Sequence, residues 1–327
     1  MNKKKINLQK LLAPAALVIL YVFFSVVGNN FFTLDTAKNI LESSYYIGLM
    51  AFGVTFIIIT GGIDLSLGTV MMCPALLGAY SFKVLGLPLI ISVIITVLVG
   101  VVFGVINGFM VAKLKLPPFI ATLGTQYVSM GLGSIITSVQ SQTWPTATDP
   151  LGGWFKKVFI RAELFGIKGF PVGAFWLVAF FIIASVILHK TKFGRYTYAI
   201  GSNEFVAKNM GINVDLYKVI AFVLSGLFLG LMGVLTISYG SSMVATTGMA
   251  SMSRNFVPTM GCFFGVAFKK YGMPLQAIII GEFVINIIFF GFIALGAPTA
   301  IQDVITGLAL LIIITVTTKV SKGEIVK

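Results

Sequence analysis

Long apolar runs separated by short polar breaks dominate this chain. Several reach the roughly 20 residues that a helix needs to cross a bilayer. The pattern predicts ten crossings, at 11–27, 43–60, 69–85, 87–110, 119–139, 172–188, 219–239, 255–268, 274–294 and 301–318. The eighth is short and punctuated by glycine, which predicts a broken or re-entrant helix; such backbone is tolerated at membrane depth where it faces protein or a cavity. MNKKKINLQK followed by LLAPAALVILYVFFSVVG has the outline of a signal peptide. No small-x-small cleavage site follows it and many spans do, so an uncleaved first helix is expected.

Composition agrees with that pattern. Only 10% of the residues are charged and 57% are hydrophobic, with a mean hydropathy of +1.01, whereas soluble domains carry about 25% charged residues. The expected fold class is an all-α polytopic membrane protein, with 1–327 as a single transmembrane domain. The net charge of +13 is spread over short loops and both termini, without an aromatic-interleaved patch, so nucleic acid is not an expected partner. Retention of Lys and Arg on the cytoplasmic side explains the charge better. With the N-terminus inside, most of the 23 basic residues fall on the cytoplasmic side. Lys156, Lys157, Arg161 and Lys168 are outside, in the one long external loop, 140–171, which orients the chain least. Both termini are then cytoplasmic.

Glycines recur at four-residue spacing: Gly100, Gly104 and Gly108; Gly226 and Gly230; Gly261 and Gly265. Small residues so spaced make a flat stripe against which another backbone packs. The stripe serves either packing within the chain or an interface between subunits.

Enzyme chemistry has little to stand on. Cys73 and Cys262 lie in apolar surroundings as small packing residues, and with His189 as the single histidine no metal cluster assembles. His189 belongs to the basic stretch HKTKFGR at a helix end. No GxxxxGK[ST] loop occurs, so the chain does not hydrolyse ATP by that route. A membrane chain without catalytic residues, metal or cofactor of its own is the expectation.

Polar residues inside apolar runs are the candidates for function. GGIDLSLG at 61–68 places Asp64 and Ser66 between two predicted helices. A charge at membrane depth costs about 2.5–3.5 kcal/mol on insertion scales, so Asp64 needs a partner or water. It either caps the third helix through the N–H groups of Ser66 or Leu67, or lines a path or gate. Asn107, Thr122, Gln126, Glu282 and Asn286 are further path candidates. Glu282 and Asn286, four apart, share a helix face. The polar segment 189–218 is the longest cytoplasmic one; within it Asn203 is positioned to cap a short helix whose apolar stripe is Phe205, Val206 and Met210. Such a helix is either a docking element or a solvated loop.

GGIDLSLG, NGFMVAKLKLPPFIATLGT (107–125) and TKFGRYTYAIGSNEFVAKNMGINV (191–214) stand in an order and at spacings that resemble the permease family of ribose-type sugar ABC importers. The resemblance runs from about 40 to about 240. It implies the ABC importer permease fold in a bacterial plasma membrane and two permease subunits, identical or different, around a central path. It also implies cytoplasmic ATPase subunits that bind ATP and Mg, and an external sugar-binding protein. It makes 189–218, with Arg195, Tyr198, Gly201, Asn203, Glu204 and Gly211, the coupling element that receives the ATPase's motion.

Beyond 240 the chain departs from the family's pattern. SRNFVPTMGCFFGVAFKKYGMP (253–274) has no acidic residue and carries bulky Phe263, Phe264 and Phe268; Phe289 and Phe290 stand where family members often have paired asparagines. The resemblance implies a monosaccharide cargo, and these departures open the alternatives of a nucleoside, branched-chain amino acid or signalling furanose. An ATP-independent secondary transporter using Asp64 or Glu282 as a proton site is the competing class.

Overall fold

The computed structural model describes residues 12–145, 161–164, 167–240, 243–244 and 274–298, with single positions at 301, 304, 307, 308 and 311. Ten helices are described: α1 (Leu12–Val27), α2 (Leu34–Ile59), α3 (Leu67–Lys83), α4 (Leu89–Ala112), α5 (Pro118–Thr137), α6 (Gly173–Lys190), α7 (Lys192–Ser202), α8 (Glu204–Asn209), α9 (Val214–Gly240) and α10 (Pro274–Ala294). Between α5 and α6 a hairpin of β1 (Arg161–Leu164) and β2 (Ile167–Pro171) pairs Arg161 with Pro171. The predicted crossing at 255–268, with Cys262 and the Gly261/Gly265 pair, and most of that at 301–318 lie outside the described residues. So do 146–160 and both termini.

The first seven predicted crossings and the ninth each coincide with a described helix. Among the described residues, five helices are long and apolar enough to span a bilayer: α2, α4, α5, α6 and, over Val214–Thr236, α9. α2 begins at Leu34 rather than 43. Its first turn is polar, and Thr33 accepts the Thr36 N–H at 3.2 Å, so a cap rather than hydropathy sets its start. α7 and the hairpin were not anticipated, because neither is apolar enough to mark a polar stretch as ordered.

The chain divides into two compact units, 1–48 with 257–327, and 49–256. In the first, α10 lies on α1 around Phe24, Phe31, Ile40 and Ile287, with Phe290 packed against the cluster. The ring of Phe24 fills the space where Gly291 lacks a side chain, and the Asn29 N–H donates to the Ala294 carbonyl at 3.0 Å. The paired phenylalanines thus have a packing role: Phe290 meets α1's cluster, and Phe289 meets Phe290 edge to face at 5.9 Å.

The second unit is built on a seam between α4 and α9. A Cβ on Gly100 would meet the Gly226 carbonyl and Gly230, one on Gly104 the Phe222 carbonyl, and one on Gly108 the backbone of Val219. The stripe therefore packs within the chain. α3 closes on the same pair, with Gly233 of α9 against the Met71 carbonyl and the Ser81 hydroxyl bonded to Ser92 of α4 at 2.9 Å. Cys73 is buried in α3 and faces Gly133 of α5. The burial pattern of α4 inverts that of a soluble helix. Ser92, Thr96, Gly100, Gly104 and Asn107 are buried, while Ile90, Leu98, Val102 and Phe109 are more than half exposed. Small and polar residues hold helices together where lipid is as apolar as leucine.

Candidate functional site

α2 ends in a Schellman turn. Gly62 N–H donates to the Ile57 carbonyl at 3.1 Å and Gly61 N–H to Ile58 at 3.0 Å. Gly61 sits at φ +83°, the left-handed conformation such caps require. An irregular linker, 62–66, then leads into α3 and carries Asp64, 2% exposed, and Ser66, fully buried.

Asp64 Oδ1 accepts the Ser66 N–H at 2.8 Å and the Ser66 hydroxyl at 2.6 Å. Ser66 Oγ in turn accepts from Asn107 Nδ2 of α4 at 3.1 Å, and Asn107 Oδ1 accepts from the Thr125 hydroxyl of α5 at 2.6 Å. Every donor in this chain points toward the carboxylate, so the bonds polarise one another in one direction and the acceptor at Asp64 orients them all. A parallel tie runs from the Leu65 N–H to the Thr122 hydroxyl at 3.0 Å. Gln126, 2% exposed, lies one turn further along α5. The linker is thereby stapled to α4 and α5. The Ser66 N–H bond to Asp64 sits just before α3, whose N-cap, Ser66, makes no side-chain cap bond of its own.

Thr125 was not singled out from the sequence. With Thr122, Gln126 and Ser129 it forms a polar stripe at helical spacing along an apolar helix, all of it buried, and that spacing was the available signal. Glu282 and Asn286 belong to the other unit and are 1% and 3% exposed. Asn286 Nδ2 turns back to the Glu282 backbone carbonyl at 2.8 Å, whereas neither carboxylate oxygen of Glu282 has a hydrogen-bond partner among the described residues.

The second constellation lies on α7, α8 and the start of α9. Asn203 caps α8 by accepting the Val206 N–H at 3.0 Å. Gly211, at φ +80°, ends α8 in another Schellman turn, with the Ile212 N–H on Ala207 and the Gly211 N–H on Lys208. Ile200, Ala207 and Val214 form a small core with Ile212 and Tyr217 beneath these helices. Glu204 pairs with Lys218 at 2.7 Å, and Asp215 with Lys113 and Lys115 from the α4–α5 turn. Glu204 thus holds α8 to α9 of its own chain. Arg195 is exposed and Tyr198 half-buried on α7. Phe205 and Met210 are 73% and 72% exposed. Gly201 seats α7 on the end of α2, its missing Cβ occupying the position of the Ile59 carbonyl oxygen. His189 is exposed at the end of α6, Nδ1 3.0 Å from the Ser185 carbonyl.

Several long apolar helices, stapled together and joined to a small folded module, define a multi-pass membrane protein. The chain belongs to the family of branched-chain amino acid transport system / permease components, whose model matches residues 36–314. It is 36% identical over 310 residues to the ribose import permease protein of Bacillus subtilis (strain 168), covering 93% of this chain and 91% of that one. It is 29% identical to the fructose import permease protein of Rhizobium meliloti, over 85% of this chain and 79% of that one. It is also 29% identical to the autoinducer 2 import system permease protein of Photorhabdus luminescens, over 94% and 89%.

Proposed function

We propose that this chain is the membrane subunit of an ATP-binding-cassette importer in a bacterial plasma membrane. With a second permease subunit it forms the path for a monosaccharide. An external binding protein delivers the sugar, and cytoplasmic ATPase subunits, which hold ATP and Mg, drive the step. The observation that carries the ATP-driven reading is the module at 192–218. It lies outside the long spans apart from the first turns of α9, has its own small core, and leaves Phe205 and Met210 in the open beside exposed Val206. Apolar side chains raised on a braced short helix suit insertion into a partner's groove. The basic residues of this module and of the α4–α5 turn support a cytoplasmic position for both, and with them cytoplasmic termini.

The sugar class is supported by the ribose and fructose import permeases among the relatives. The autoinducer 2 permease favours a signalling furanose as the second cargo. Among the path candidates, Asp64, Ser66, Asn107 and Thr122 are engaged with one another or with backbone. Glu282 has buried carboxylate oxygens with no hydrogen-bond partner among the described residues, so among the path candidates it is the one left to meet a sugar hydroxyl.

Two measurements test the reading. In proteoliposomes holding this chain with its ATPase and binding protein, uptake of radiolabelled D-ribose or D-fructose is expected to require ATP and to survive an uncoupler. Uptake that an uncoupler abolishes and ATP depletion spares overturns the reading in favour of the secondary transporter. The Phe205→Asp, Met210→Asp double variant is expected to weaken ATPase capture by about 30-fold or more, the scale of a buried hot spot, while the chain still accumulates in the membrane. Undiminished co-purification of the ATPase rejects the docking assignment.

A further inference from the structure

Gly201 differs from the glycines of the α4–α9 seam, because it joins the module beyond the spans to the end of a spanning helix. Its Cβ position falls on the Ile59 carbonyl oxygen, with the Ile59 carbonyl carbon 2.9 Å and Thr60 Cα 3.6 Å away. This is backbone against backbone, so a push is transmitted without a flexible side chain to absorb it. Five positions beyond Ile59 lies Asp64, and between them stand Gly61 at φ +83° and Gly62. Beyond that hinge-like turn, Asp64 and Ser66 grip Asn107 of α4 and, through it, Thr125 of α5; Leu65 grips Thr122. On the other side, the Ile200–Ala207–Val214 core binds α7 to α8, and the Glu204–Lys218 pair ties α8 to the start of α9.

We infer that Gly201 is a positioning residue: it passes displacement of the α7–α8 module to the Ile59 carbonyl, and so moves the 60–66 linker and its grip on α4 and α5. The inference rests on the reading of that module as the ATPase-docking element. Few-residue turns at element ends are where a moving body hinges, and a body that shifts as a unit is the physical requirement for coupling between distant sites. Gly201 itself contacts no substrate in this scheme; it acts through the linker.

The test uses the full complex with its ATPase in lipid nanodiscs, in a chain with Cys73→Ala and Cys262→Ala. Ile63, 38% exposed in the linker, is replaced as Ile63→Cys, and its labelling by a maleimide is timed with and without Mg-ATP and vanadate. The expected result is a change of about tenfold in labelling rate, within the range of coupling free energies. Adding Gly201→Ala is expected to abolish that change while the ATPase still co-purifies. A labelling rate indifferent to nucleotide overturns the inference, as does a full response in Gly201→Ala. Should Gly201→Ala fail to accumulate, Ser66→Ala replaces it, cutting the linker from Asn107 without touching Gly201. The Ile63→Cys response is then expected to persist while uptake of the sugar carried in the proteoliposome assay falls; undiminished uptake overturns the relay. If the Phe205→Asp, Met210→Asp variant keeps its ATPase, the docking reading fails. If that variant loses it and Ile63→Cys stays unresponsive, only the relay fails.

Discussion

Asp64→Ala is expected to destabilise the purified chain by about 2–5 kcal/mol, whereas Asp64→Asn costs about 1 kcal/mol. The alanine variant removes the acceptor of both the Ser66 N–H and the Ser66 hydroxyl at a site 2% exposed. Each buried donor left without a partner costs about 1–3 kcal/mol. The loss spreads, because Ser66 Oγ is the acceptor for Asn107 and Asn107 the acceptor for Thr125. Asparagine keeps an oxygen where Oδ1 stands and gives up only the difference between a charged and a neutral acceptor. Thermal unfolding in mild detergent, followed by size-exclusion profile, separates the two. Equal loss in both variants would mean that the charge, and not the acceptor, is what the linker needs. No loss in either would mean that the staple contributes nothing to stability.

The second large effect is expected at the α4–α9 seam. Gly104→Leu should leave no folded chain in the membrane, since even its Cβ would run into the Phe222 carbonyl and the Val223 Cα 3.0 Å away. Overpacking a well-filled contact costs about 1–3 kcal/mol when neighbours can shift, and here the neighbours are backbone. Gly124→Ala and Gly131→Ala on α5 are the matched controls: nothing lies within 4 Å of either Cβ position. Those two are expected to fold as well as the parent or to gain up to about 1 kcal/mol from helix propensity. Expression and unfolding of the three variants side by side decide the matter. A tolerated Gly104→Leu would show that α4 and α9 do not need their close approach.

Much of the fold was legible because bilayer thickness imposes a length on apolar runs. Eight predicted crossings meet helices in the structure, and the turns between them coincide with glycine, proline and lysine clusters such as KLKLPP between α4 and α5. Asn203 was legible as a cap, and Phe205, Val206 and Met210 as an apolar stripe, because capping and amphipathic spacing are local properties. The polar positions Asp64, Asn107 and Thr122 stood out because a carboxylate, amide or hydroxyl inside an apolar run must be satisfied by something nearby. Which partner satisfies each could not be read, since Asn107 and Ser66 are 41 positions apart and Lys115 and Asp215 are 100 apart.

The sequence by itself determined where eight of the long apolar runs form helices, where those runs break, which side chains are too polar for lipid, and that a basic, partly helical segment stands outside them. The tertiary structure alone decided which face of each helix is inside. Lipid and a leucine-rich core are equally apolar, so hydropathy does not distinguish the exposed Val102 from the buried Phe103 of α4. It also decided that the glycine stripe packs within one chain, that Glu204 pairs with Lys218, and that Gly201 rests on the carbonyl of Ile59. Those are contacts between backbones and side chains brought together by folding, and their geometry exists only once the helices have met.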